Sequence, residues 1–102
     1  MNMNDLIKQA QQFQEKLSGV QQELSQKRVV GSAGAGMVSA EFNGNGELLH
    51  LRIEPGIIKP DEVQLLQDLV VSAVNDGLHK SKQMGKEEMT KLTGGLNIPG
   101  LT

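Results

Sequence analysis

A chain of 102 residues with ten Lys and Arg against twelve Asp and Glu has a formal net charge of −2 and the size of one small domain. That balance excludes a domain that holds nucleic acid by overall basicity, so any such binding depends on local clustering of the cations. The absence of Cys excludes disulfides and thiolate metal sites, and Phe13 and Phe42 are the only aromatic residues, so the core has to be built from Leu, Val, Ile, Met and Ala.

A core of that kind is thin. Domains of this length bury only ~60–65% of their unfolded surface, and association with a second copy is the expected supplement. No apolar run approaches the ~18 residues needed to cross a bilayer. The opening Met1-Asn2-Met3-Asn4-Asp5 lacks the basic and apolar regions of a secretion signal, so the expected location is the cytosol.

Met3, Leu6, Ala10, Phe13, Leu17, Val20 and Leu24 recur at steps of three and four. This heptad pattern predicts a helix over 1–27 whose narrow apolar seam suits packing on one other helix. Asn2 or Asn4 can cap it, and Asp5 complements the positive end of its dipole. Its polar face is mainly Gln, which suits a membrane surface poorly.

From 28 to 54 the period changes to two: Val38, Ala40 and Phe42 alternate with Met37, Ser39 and Glu41, and Leu49, Leu51 and Ile53 with Leu48, His50, Arg52 and Glu54. Asn43-Gly44-Asn45-Gly46 supplies the positive φ angles of a tight hairpin, but its two overlapping Asn-Gly steps leave the register open. Lys27–Ser32 reads as the first strand, joined to the second through Ala33-Gly34-Ala35-Gly36. The expected architecture is α+β: an antiparallel three-stranded meander, one face apolar, packed with two long helices in a single α-β-β-β-α domain.

Pro55-Gly56 ends the third strand, and Lys59-Pro60 leads into a second helix over 61–93, with Asp61 and Glu62 favourable in its first turn. At ~1.5 Å per residue it reaches roughly 45–50 Å, so it projects, packs on a partner or breaks near Gly85. Val63, Leu65, Leu66, Leu69, Val70, Val71, Ala73, Val74 and Leu78 form a broad face to cover the sheet and a further contact. Core-forming and projecting parts are expected to meet near Gly77–Leu78. Gly94-Gly95 stops the helix; the tail 94–102 is either poorly ordered or docked through Leu96, Ile98 and Leu101.

Catalysis finds no support. His50 and His79 lie in different elements, no strand–elbow–helix signature accompanies a serine, and neither His has metal-ligand spacing. Gly31-Ser32-Ala33-Gly34-Ala35-Gly36 has the wrong order of glycines for a phosphate loop and precedes a strand where the motif needs a helix. No enzyme activity, cofactor, metal or small-molecule substrate is expected. The remaining constellation is basic: His79, Lys82 and Lys86 share one helix face, with Lys80 adjacent and Lys91 further on, against Glu87 and Glu88. Dipole complementation and simple solvation account for such a patch; in a two-fold dimer it would also appear twice and could straddle a duplex.

The opening Lys8-Gln9-Ala10-Gln11-Gln12-Phe13-Gln14-Glu15-Lys16 resembles that of the YbaB/EbfC family of bacterial nucleoid-associated proteins. So do Gly31–Val38, the Asn43-Gly44 turn, Ile53-Glu54-Pro55, Leu66-Gln67-Asp68-Leu69, Ala73-Val74-Asn75-Asp76, Gly94-Gly95-Leu96 and Pro99-Gly100. The resemblance implies a tweezer-like homodimer that binds double-stranded DNA in the bacterial cytoplasm and organises the nucleoid, some members influencing transcription. Carried onto this chain, DNA contact falls on Lys8, Lys16, Lys80, Lys82 and Lys86, with Lys27 and Arg28. Ser39 departs from relatives that carry Lys after the strand-two Val. No helix here resembles a base-reading element, so little or broad sequence preference is expected. The alternative is a non-catalytic protein-interaction module that uses its helical grooves.

Overall fold

The structure is a computed structural model that describes residues 2–94. Helix α1 (Met3–Gln26) is followed by β1 (Arg28–Ala33), β2 (Val38–Asn43) and β3 (Leu48–Ile53), then by 3₁₀ turns at Pro55–Ile57 and Pro60–Glu62, and finally by α2 (Val63–Leu92). The strands form one antiparallel sheet in the order β1-β2-β3. The α+β meander expected from the periodicity is therefore present.

Asn2 is the cap of α1: its Oδ1 accepts a hydrogen bond from the Asp5 N–H at 2.9 Å. Asn43 organises the β2–β3 turn and resolves its register. Its Oδ1 accepts from the backbone N–H groups of Asn45 and Glu47 at 3.0 and 3.1 Å, and Gly46 takes the positive φ of +81°. A bulge at Glu41/Phe42 places Phe42 opposite Leu48. The other hairpin is less usual: Gly34, Ala35 and Gly36 all have positive φ, and Ala35 does so at +55° with a Cβ.

The core is Val38, Ala40 and Phe42 of β2 with Ala73 of α2, ringed by Val29, Ala33, Ile53, Leu69, Val70, Val74 and Leu78. Helix α2 crosses this face unusually closely, because its sheet-facing stripe is small: Ala73, Gly77 and Ser81 are its buried residues. A Cβ added to Gly77 would lie 2.6 Å from the Phe42 ring. One added to Gly31 would collide with the backbone of Gly77 and Ala73. The Ser81 hydroxyl, fully buried, donates to the Asn43 carbonyl at 2.7 Å.

This closeness moves the boundary expected at Gly77–Leu78. The sheet and its turn hold α2 as far as Gly85, which approaches the Gly44 carbonyl, and α2 runs through Gly85 without a break. The uncovered apolar surface lies at the other end of the helix, where Val63, Leu65 and Val71 are half exposed or more. Helix α2 stops where Gly94 adopts φ +66°, its N–H bonding the Lys91 carbonyl. The tail beyond Gly94, expected either to be poorly ordered or to dock through Leu96, Ile98 and Leu101, lies outside the described residues.

Among the described residues, helix α1 touches the rest of the fold near its C-terminal end. Leu24 packs on Gly44, whose N–H donates to the Leu24 carbonyl at 2.8 Å, and Asn45 donates to the Gln21 carbonyl at 3.0 Å. Its heptad seam is buried at Leu24 and half-buried at Val20 and Leu17, then bare: Phe13 is 45% exposed, Leu6 50% and Met3 72%. The chain consequently measures 69 × 23 × 17 Å, with a radius of gyration of 19.0 Å against ~13 Å for a compact chain of this size.

Candidate nucleic-acid interface

Helix α2 carries cations on two opposite flanks, and they differ in what faces them. On one flank His79, Lys82, Gln83 and Lys86 line a shallow cleft of about 410 Å³. All four are exposed, and among the described residues neither lysine ammonium has an ion-pair or hydrogen-bond partner. The spacing of three and four residues puts them in one row, as the sequence predicts. Lys82 also borders a second groove of about 400 Å³, lined by Leu24, Gly44, Leu78, Gly85 and Met89 between the two helices and the β2–β3 turn.

The opposite flank is neutralised. Lys80 donates to the Val30 carbonyl at 3.0 Å and pairs with Asp76 at 3.1 Å, while Asp76 accepts from the Ser32 N–H at 3.0 Å. These two side chains thereby cap outward backbone groups of the edge strand β1, a contact that also closes this edge to strand addition. The Ser32 hydrogen bond, and after it Lys80, holds the Asp76 carboxyl below the usual carboxylate range. Further along, Glu88 Oε1 receives Lys27 at 3.1 Å and Lys91 at 3.3 Å, and these bonds, Lys27 first, likewise lower its pKa.

The seven cations singled out by the sequence thus divide. Lys82 and Lys86 share the open cleft, and Lys8 and Lys16 stand exposed on the free part of α1 with no described partner. Lys80 and Lys27 are engaged as above, and Arg28 donates to the Ser25 and Lys27 carbonyls at 2.9 Å and lies 3.7 Å from Glu41. Gln83, not singled out by charge, joins the open cleft because it follows Lys82 directly on the same flank. The Asp76–Lys80 pairing is visible as an i, i+4 spacing; the Lys27–Glu88 pairing joins residues 61 apart and has no local signal. Among the described residues no group of three or more His, Asp or Glu is placed to hold a metal ion.

The chain is similar to known proteins over nearly its whole length. Residues 1–96 match the YbaB/EbfC DNA-binding family. A nucleoid-associated protein of Desulfotalea psychrophila is 47% identical over 102 residues, covering 100% of this chain and 96% of that one. A nucleoid-associated protein of Thermoanaerobacter pseudethanolicus is 51% identical over 100 residues, covering 98% and 90%. The crystal structure of an uncharacterized protein from Helicobacter pylori superposes with a TM-score of 0.83 at 26% identity, covering 92% of this chain and 99% of that one.

Proposed function

The chain belongs to the YbaB/EbfC DNA-binding family, and on that basis we propose that it is a non-catalytic, homodimeric nucleoid-associated protein that binds the phosphate backbone of double-stranded DNA in the bacterial cytoplasm. The observation that carries this reading is the pair Lys82 and Lys86, one helical turn apart on an exposed flank with no described internal anion, beside His79. Two ammonium groups so placed, repeated by a two-fold partner, form a phosphate-binding row in a protein whose net charge is otherwise repulsive. Lys8 and Lys16, exposed on α1, are further cations open to phosphate.

Little sequence preference follows from the chemistry of that row. Lysines contact phosphates as point charges, and the chain's two arginines, Arg28 and Arg52, which could form bidentate contacts to guanine, lie on strands. Coating of DNA in this manner would affect nucleoid organisation and, through it, transcription.

The bare heptad seam of α1 supports the dimer, since a narrow apolar stripe of this kind is stable in water only when another surface covers it. The same seam favours a second reading, in which a different protein covers it and DNA contact is incidental. Titration of the wild-type protein with a labelled duplex at ~0.05 and ~0.15 M salt separates them. The DNA reading predicts binding whose log K falls by ~0.9 for each neutralised phosphate per tenfold rise in salt. Absence of binding at both salts would overturn it.

A further inference from the structure

We infer that Glu88 confines DNA contact to one flank of α2 by occupying the two lysines of the other flank, an inference that rests on the DNA-binding reading above. At ~100° per residue Lys91 lies about half a turn around the helix from Lys82. Without an anion there, Lys27 and Lys91 would form a second basic strip, and α2 would offer phosphate two opposed surfaces. Glu88 prevents this with one oxygen that receives both ammonium groups, at 3.1 and 3.3 Å.

The exposures suit this competition. The Glu88 side chain is only 14% exposed, whereas Lys27 and Lys91 are 42% and 74% exposed. The anion is fixed between the helices and the cations lie at the surface, within reach of an external phosphate once the carboxylate charge is removed. Lys27 follows the end of α1 and Lys91 sits in the last turn of α2, so Glu88 joins the C-terminal ends of the two helices. Glu87, next in sequence, makes only a 3.5 Å contact with Gln83 and holds no lysine. It provides the control for charge alone.

The test compares the salt dependence of duplex binding by wild type, Glu88→Gln and Glu87→Gln. Glu88→Gln is expected to steepen the slope of log K against log salt by about 1.8 per protomer, ~0.9 for each of two released lysines. Glu87→Gln, with the same change in net charge, is expected to keep the wild-type slope. Adding Lys27→Gln and Lys91→Gln to Glu88→Gln restores it. An unchanged slope in Glu88→Gln, or an equal steepening in Glu87→Gln, overturns the inference. If Glu88→Gln fails to fold, Lys27→Gln with Lys91→Gln in the presence of Glu88 decides: the slope stays as in wild type, and a loss of about 1.8 contradicts the proposal. A wild type that binds no duplex is a distinct result, which removes the DNA reading itself.

Discussion

Gly31 of β1 and Gly77 of α2 meet backbone to backbone, so strand and helix touch at a point where neither has room for a side chain. Gly77 in turn faces the Phe42 ring, and one turn later Ser81 bonds the Asn43 carbonyl. A core with a single phenylalanine, Phe42, gains its density through this approach: small residues bring the α2 backbone onto β1 and β2, and the flanking Leu69, Val70, Val74 and Leu78 close around the contact.

Substitution at this contact should therefore be costly. Gly31→Ala meets main-chain atoms, which cannot rotate away, and is expected to lose at least about 2 kcal/mol in urea unfolding. Gly19→Ala is the counterpart: nothing lies within 4 Å of its added Cβ inside α1, and relief of glycine's helix penalty should stabilise by about 0.5–1 kcal/mol. A neutral Gly31→Ala would contradict the packing described.

The first hairpin carries strain that can be removed. Ala35 holds φ +55°, where an L side chain costs roughly 1–2 kcal/mol. Ala35→Gly is expected to raise stability by about 0.5–1 kcal/mol, the remainder being offset by the greater freedom of glycine in the unfolded chain. Thermal melts at neutral pH check the sign.

The pH dependence follows from Asp76 and Glu88, whose carboxyls are both held below the usual range. A depressed folded pKa means that the unfolded state binds the proton more readily, so the stabilisation is complete above the unfolded value of ~4 and is lost as pH falls through the lower folded values. Urea midpoints should be flat in this respect from neutral pH to about pH 5 and should fall below about pH 4. Asp76→Asn and Glu88→Gln should each flatten part of that acid limb.

The exposed seam gives a prediction about assembly. If a second copy covers it, Leu6→Lys with Phe13→Lys should convert the dimer to monomer in light scattering while the helical circular dichroism of the body is kept. An unchanged dimer mass would place the interface elsewhere, with Val63, Leu65 and Val71 of α2 as the next apolar surface to test.

The elements themselves were legible in the sequence because apolar spacing reports them directly. The heptads from Met3 to Leu24 mark α1, and the alternation through Val38, Ala40 and Phe42 marks the buried face of β2. The boundary placed at Gly77–Leu78 failed for a physical reason: Gly77 and Ser81 add little to hydrophobic periodicity, yet they are buried because they are small. Likewise, the lysines of α2 were visible as charges, but which of them are neutralised depends on Glu88 reaching Lys27 across 61 residues. Only the fold brings those two together.

Charge reversal of Lys82 and Lys86 decides whether DNA sits on this flank of α2. Lys82→Glu with Lys86→Glu is compared with Arg52→Glu and Lys59→Glu, two exposed cations away from the cleft that impose the same change in net charge. In fluorescence titration with a labelled duplex at ~0.1 M salt, where charges beyond ~10 Å are largely screened, the cleft variant should lose binding and the control should keep most of it. Equal affinity in the cleft variant and wild type, with both folded, would contradict the assignment of the DNA contact to this flank of α2.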